Sequence, residues 1–160
     1  AWEERGGSPL RIKLAVSQER YQEIRDALRE RGIQVDEDAE LVLSERDRYW
    51  DTLLARETGG GDRVVLPVGE IVSVESLGRE VLAYTVSGAV YQVPDRLYRI
   101  AAQLDPEAFL RISNSVVIAR SQVVRIAPTL SMKFILTLRD GRTVDVTRSY
   151  YYIFKEAFGI

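Results

Sequence analysis

The sequence predicts a mainly β protein: antiparallel strands interrupted by one short helix and closed by a C-terminal helix, preceded by a small β-α-β-β unit. Three observations lead there. From Gly61 onward, short apolar runs alternate with polar residues at a period near two, as half-buried strands do. Turn residues recur between those runs, as in Val68-Gly69-Glu70, Ser87-Gly88 and Arg139-Asp140-Gly141. Ahead of Gly61 a helical stripe between Gln18 and Arg31 lies between short apolar segments.

Leu10 to Val16 alternates apolar and polar residues and reads as the first strand. Ser17 then stands as an N-cap for a helix from Gln18 to Arg31, in which Tyr21, Ile24, Ala27 and Leu28 share one face and Gly32 stops the helix. Ile33 to Val35 and Leu41 to Leu43 are short strands separated by Asp36-Glu37-Asp38. Tyr49, Trp50, Leu53 and Leu54 fall on one stripe of a helix spanning Asp47 to Arg56. The two aromatics are expected to pack within the chain or at a dimer interface. Gly59-Gly60-Gly61 marks the boundary between residues 1–60 and residues 61–160.

Beyond it, strands are expected at 63–66, 71–76, 81–86, 90–93, 109–112, 116–118, 123–127, 133–138 and 143–147. Asp140-Gly141 suits a type I′ hairpin, which needs positive φ at both central residues. Asp95 can cap a helix carrying Leu97, Ile100, Ala101 and Leu104, which Asp105-Pro106 ends. The last helix runs from Tyr150 to Phe158. Consecutive residues on a helix point apart, so one tyrosine of Tyr150-Tyr151-Tyr152 should pack inward with Ile153, Phe154 and Phe158 while another faces solvent.

Composition narrows the function. The 160 residues contain no Cys and no His, which removes the commonest zinc ligands, the cysteine nucleophile and the Ser-His triad. No carboxylate pair stands in a general acid-base motif, and no phosphate-binding or dinucleotide fingerprint occurs. We therefore expect no catalytic residues, no metal and no cofactor. Apolar runs are far shorter than the roughly 20 residues that span a bilayer, and no signal-like stretch opens the sequence, so the expected compartment is the cytoplasm, without membrane contact. The net charge of −2 hides an asymmetry: residues 1–60 hold ten Lys and Arg against fourteen Asp and Glu, and residues 61–160 hold twelve against ten. Any anion-binding face must come from local clustering of Arg.

One ordered set of motifs points further. It runs Ile71-Val72-Ser73-Val74-Glu75-Ser76, Tyr91-Gln92-Val93, the helix Leu97 to Leu104, Phe109-Leu110-Arg111-Ile112, Ser113-Asn114-Ser115-Val116-Val117-Ile118, then Asp140-Gly141 and Thr147-Arg148 before the last helix. In order and spacing this resembles the LytTR family of bacterial DNA-binding domains, over roughly residues 62–160. The resemblance implies an elongated stack of small antiparallel sheets. It also implies that strand-end loops, not a recognition helix, enter two successive major grooves of double-stranded DNA. Carried onto this sequence, Asn114 and Arg148 match positions that contact bases or phosphates, and Leu77-Gly78-Arg79-Glu80 matches a third contacting loop. The sequence departs from the family where Ser113 and Asn114 replace basic residues or His, and where Ala119 replaces a common Asn, with Arg120 beside it.

The residues themselves leave alternatives. Asn114 either caps a local turn or bonds DNA, where Asn suits adenine and Arg suits guanine. Arg148, at a helix start, is set against the helix dipole, which points to an external anion or an ion pair. Arg111 and Lys133 are phosphate candidates on strands. Ser113 can donate to phosphate, while Ser115 suits a turn. Arg79 lies beside Glu80, which opposes phosphate. The leading expectation is a transcription regulator of the response-regulator type, without a receiver domain in its first sixty residues. That acidic unit is expected to mediate homodimerisation or bind a regulatory protein. The competing expectation is a protein-interaction module that keeps the fold and has lost DNA binding.

Overall fold

The computed structural model describes residues 10–45 and 49–160. It comprises two compact units, one ending at Tyr49 and the other spanning Trp50–Ile160.

The first unit contains β1 (Arg11–Ala15), α1 (Gln18–Glu30), β2 (Gln34–Val35) and β3 (Leu41–Ser44), the expected β-α-β-β order. Its sheet runs β2-β1-β3 with both pairings parallel. A parallel pair needs a crossover, and α1 supplies the one between β1 and β2. Ile12 and Leu14 are buried from the central strand. Ser17 has the extended backbone of an N-cap, but its side chain makes no capping bond. Its N–H instead donates to the Glu45 carboxylate. Gly32 ends the helix at φ +76°, where a side chain would be strained.

The second unit starts earlier than the glycines imply. Of the expected helix over Asp47 to Arg56, Asp47 and Arg48 lie outside the described residues, and Thr52–Glu57 forms a strand, β4. Leu53 and Ala55 are buried while Leu54 between them is 51% exposed, so the burial period is two and not 3.6. Trp50 packs against the core beside this strand, and its N–H donates to the Gln103 carbonyl at 2.8 Å. Gly59 and Gly60, at φ +90° and +87°, make the turn into β5 (Arg63–Pro67), which pairs antiparallel with β4. The triple glycine is thus a hairpin tip, and the division between units falls between Tyr49 and Trp50 rather than at Gly60.

The remaining strands are β6 (Ile71–Leu77), β7 (Glu80–Thr85), β8 (Val90–Gln92), β9 (Phe109–Ser113), β10 (Val116–Ala119), β11 (Val123–Pro128), β12 (Phe134–Leu138) and β13 (Thr143–Val146). Helix α2 (Leu97–Gln103) precedes β9, and α3 (Tyr151–Phe158) follows β13 through a 3-10 turn at Arg148–Tyr150. All pairings in this unit are antiparallel. They form one seven-stranded sheet, β5-β4-β8-β7-β6-β10-β9, and one three-stranded sheet, β11-β12-β13.

Two cores hold the unit together. Ile71, Val74, Ile100, Leu104, Phe109 and Val117 belong to the first, which α2 helps to close. Val72, Ile112, Ile118, Leu136, Val146 and Phe154 belong to the second, which α3 helps to close. β6 contributes to both because its alternate residues face opposite sides, and a bulge between Ile71 and Ser73 brings Ile71 and Val74, three residues apart, to the same core. Tyr151 stacks on Phe134 at 4.9 Å and Phe154 on Phe158 at 4.6 Å, whereas Tyr152 faces solvent. Ile153, expected inward, is 53% exposed because it lies off the stripe of Phe154 and Phe158.

Leu138 N–H donates to the Arg142 carbonyl at 2.9 Å, so the turn between β12 and β13 has three residues, Arg139 to Gly141. Gly141 alone has positive φ, +89°, and its N–H donates to the Leu138 carbonyl at 2.9 Å. A type I turn followed by a left-handed glycine therefore replaces the expected type I′ turn. From this hairpin Arg142 reaches the other sheet. It donates to Glu75 (2.7 Å), Asp140 (2.9 Å) and the buried Ser73 hydroxyl (2.8 Å), and lies 3.9 Å from the centre of the Tyr84 ring. Burial works against charge on both Arg142 and Asp140. Hydrogen bonds and charge attraction outweigh it, holding Asp140 below the usual carboxylate range and Arg142 above the usual guanidinium range.

Candidate nucleic-acid interface

Backbone hydrogen bonds gather four connecting segments at one end of the strands in the second unit. The β6–β7 turn holds Gly78 and Arg79, with Gly78 at φ +62°. Ser76 N–H donates to the Ser115 carbonyl at 2.8 Å, which sets the β9–β10 turn, Asn114-Ser115, beside it. Val93 N–H donates to the Val81 carbonyl at 2.8 Å, bringing in Pro94-Asp95-Arg96 ahead of α2. Thr147 N–H donates to the Ile112 carbonyl at 3.0 Å, so the segment carrying Arg148 adjoins the end of β9. Because Phe134 pairs with Val146, Lys133 just before β12 lies at the same end as Thr147 and Arg148 just after β13.

The side chains named from the sequence divide into three groups. Arg79, Lys133 and Arg148 are exposed, and none of them has a side-chain hydrogen bond or ion pair among the described residues. Asn114 is exposed too, but its Oδ1 accepts a hydrogen bond from the Tyr150 hydroxyl at 3.2 Å. Arg111 is half-buried and turned onto its own hairpin: Nε donates to the Ser113 carbonyl (3.2 Å) and Nη2 to the Asn114 carbonyl (2.9 Å). Two of its five N–H groups are thus occupied in fixing the turn, and three remain. Ser113 is 6% exposed, and its hydroxyl accepts from the Ser115 N–H at 3.2 Å. It builds the turn from within, so its hydroxyl is set apart from the exposed cations.

The sequence reading missed Arg96. With Arg79, Arg111 and Asn114 it lines a depression of about 490 Å³, to which Asp95 contributes the one carboxylate. Arg96 is exposed and its side chain has no partner among the described residues. The signal was available: like Arg148, Arg96 is a cation at a helix start, where the dipole disfavours it. Arg120, in contrast, is used internally, donating to the Ala157 carbonyl and lying 5.3 Å from the Phe158 ring.

This end of the unit can bind anions and read hydrogen-bonding edges. Guanidinium groups match phosphate and guanine, and the Asn114 amide offers both a donor and an acceptor. Among the described residues no group of acidic side chains could hold a metal ion, and no helix is long and apolar enough to cross a membrane.

Comparison with known proteins bears on the family and on the fold of the second unit. The chain is 29% identical over 101 residues to the sensory transduction protein LytT of Enterococcus faecalis; the match covers 63% of this chain and 42% of that protein. The fold is similar to a solved LytTr DNA-binding domain from Bacillus cereus, with a TM-score of 0.64 and 18% identity, covering 69% of this chain and 99% of that one. The family model described as the LytTr DNA-binding domain matches residues 61–159. β4 lies ahead of that segment although it pairs with β5 and β8 inside it. The chain belongs to the LytTr DNA-binding domain family.

Proposed function

We propose that this protein is a transcription regulator that binds double-stranded DNA sequence-specifically, its strand-end loops entering successive major grooves. One observation carries the reading. Arg79, Arg96, Lys133 and Arg148 gather at one end of the second unit with no side-chain partner among the described residues. A cation left unpaired beside other cations is repelled by them, and a phosphate backbone relieves that repulsion. Asn114 and Arg148 are the base-reading candidates in this scheme, with Arg79, Arg96 and Lys133 positioning the backbone. Arg111 keeps the Asn114 turn in shape while its remaining N–H groups stay available. Ser113 acts inside that turn.

The unit ahead of Trp50 serves self-association in this reading. β3 is an edge strand whose Leu41 and Leu43 are 53% and 40% exposed, and apolar side chains on an open edge invite pairing. Two DNA-binding units joined this way fit half-sites on one face of the duplex. Sedimentation at high concentration should show dimers; a monomer with and without DNA overturns self-association and leaves a regulatory protein as the partner.

The test of DNA binding is selection from a randomised duplex library, followed by fluorescence anisotropy on the selected duplex at two salt concentrations. Enrichment of one sequence, binding that weakens with salt, and weaker binding by Arg148→Ala and Asn114→Ala are expected. No salt-dependent binding to any duplex would overturn the reading in favour of a protein-interaction role.

A further inference from the structure

Asn114 is held by two partners that act on different parts of it. Arg111 fixes its backbone by donating to the Ser113 and Asn114 carbonyls. Tyr150 fixes its side chain by donating to Oδ1 at 3.2 Å, across 36 residues of sequence. Tyr150 is itself well anchored. Its ring packs against the second core, and its N–H donates to the Thr147 carbonyl at 2.9 Å, closing the 3-10 turn that carries Arg148. The backbone bond from Thr147 to Ile112 joins the same two loops.

This arrangement bears on chemistry because an amide has two unlike ends. An unrestrained Asn side chain can rotate to present either its oxygen or its NH₂ group, and so can satisfy either an acceptor or a donor on a base edge. A hydroxyl that donates to Oδ1 favours one of these orientations, because a phenol donates a hydrogen bond more strongly than it accepts one. The oxygen is directed at Tyr150 with one lone pair remaining, and the N–H groups of Nδ2 have no partner among the described residues.

Resting on the DNA-binding reading above, we infer that Tyr150 is a positioning residue for base recognition. It orients the Asn114 amide so that Nδ2 donates to a hydrogen-bond acceptor on a purine edge. The purine N7 offers such an acceptor in the major groove, and adenine can add a donor to the remaining lone pair of Oδ1. Tyr150 thereby also couples the two contacting loops, since the residue that orients Asn114 closes the turn holding Arg148.

The experiment compares wild type, Tyr150→Phe, Asn114→Ala and the double variant on a panel of duplexes. The panel varies, one pair at a time, each base pair of the sequence selected by wild type. Phe keeps the ring in the core and deletes only the donor. Asn114→Ala should abolish the preference at one base pair. Tyr150→Phe should weaken the preference at that same base pair by about tenfold, within the range a good base contact supplies. It should leave the slope of affinity against salt and the thermal midpoint as in wild type, because no phosphate contact is lost. The double variant should match Asn114→Ala alone. A general structural defect would instead lower affinity on every duplex.

Unaltered preference in Tyr150→Phe, or additive effects in the double variant, overturns the inference while the DNA-binding reading stands. Absence of salt-dependent binding by wild type overturns both. Should Tyr150→Phe prove unstable, the side-chain amide resonances of Asn114 in uniformly ¹⁵N-labelled wild type give a second readout. An Nδ2 as rigid as the backbone in ¹⁵N relaxation supports the restraint, and motion like that of an exposed, unbonded side-chain amide overturns it.

Discussion

Arg142 and Arg148 stand at opposite ends of β13 and have opposite surroundings. Arg142 is drawn into the structure, with two carboxylates, a buried hydroxyl and an aromatic ring around it. Arg148 is exposed and has no side-chain partner among the described residues, as is true of Arg79 and Arg96. One end of the strand pair therefore uses its cation to join two sheets, while the other leaves its cations unsatisfied. A charge that the fold requires is neutralised within the fold. Charges left over, gathered by backbone bonds into one place, mark the surface where an anion from outside supplies what is missing.

The largest expected effect would break the paired end. Arg142→Ala leaves the Glu75 carboxylate, 14% exposed, without its cation. Removing one partner of a fully buried pair is worth about 3–5 kcal/mol. Since the Arg142 side chain is 31% exposed, we expect a loss nearer 2 kcal/mol, read as a shift in the urea midpoint. Arg148→Ala should do the reverse. Its stability should stay within about 0.5 kcal/mol of wild type, while DNA affinity falls by about 1–3 kcal/mol if the guanidinium contacts a base. Equal losses of stability in the two variants would erase the distinction between the ends.

Arg96→Ala sharpens the comparison on a smaller scale. A phosphate contact should be lost, reducing the salt slope by about one without changing which sequence is preferred. The smallest effect concerns pH. The folded-state pKa of Asp140 is lowered from its ordinary 3.8. Its contribution is therefore present above 3.8 and is lost as pH falls through the lower folded value. Asp140→Asn should be less stable than wild type near neutral pH, with the gap closing in acid unfolding below 3.8. A gap that persists in strong acid would assign the effect to packing.

The strands after Gly61 were legible because most carry alternating side chains between turn residues, a pattern that depends on neighbours in sequence. β4 was not legible. Trp50, Leu53 and Leu54 fit a helical stripe as well as an edge hairpin, and only pairing with β5 and β8 decides between them. Gly59-Gly60-Gly61 has the composition of a linker, yet its positive φ values serve a hairpin. The site shows the same division. Asn114, Arg79, Lys133 and Arg148 could be named as polar or cationic residues at strand ends. Arg96 carries the same helix-start signal as Arg148, but its place beside Arg79 and Asn114 follows from the bond from Val93 to Val81, which spans the fold and not the sequence. The burial of Ser113 was also hidden: the register shift between β9 and β10 puts it and Ile112 both inside, against strict alternation.

Finally, β6 has a consequence for how the second unit comes apart. Ile71, Val72, Ser73 and Val74 are all at most 1% exposed, and the strand faces one core through Ile71 and Val74 and the other through Val72. A wall shared by two rooms cannot be removed from one alone. Opening either core strips apolar contacts from the strand that closes the other, so the two should melt in one cooperative step, and the amide protons of β6 should be among the last in the molecule to exchange with solvent.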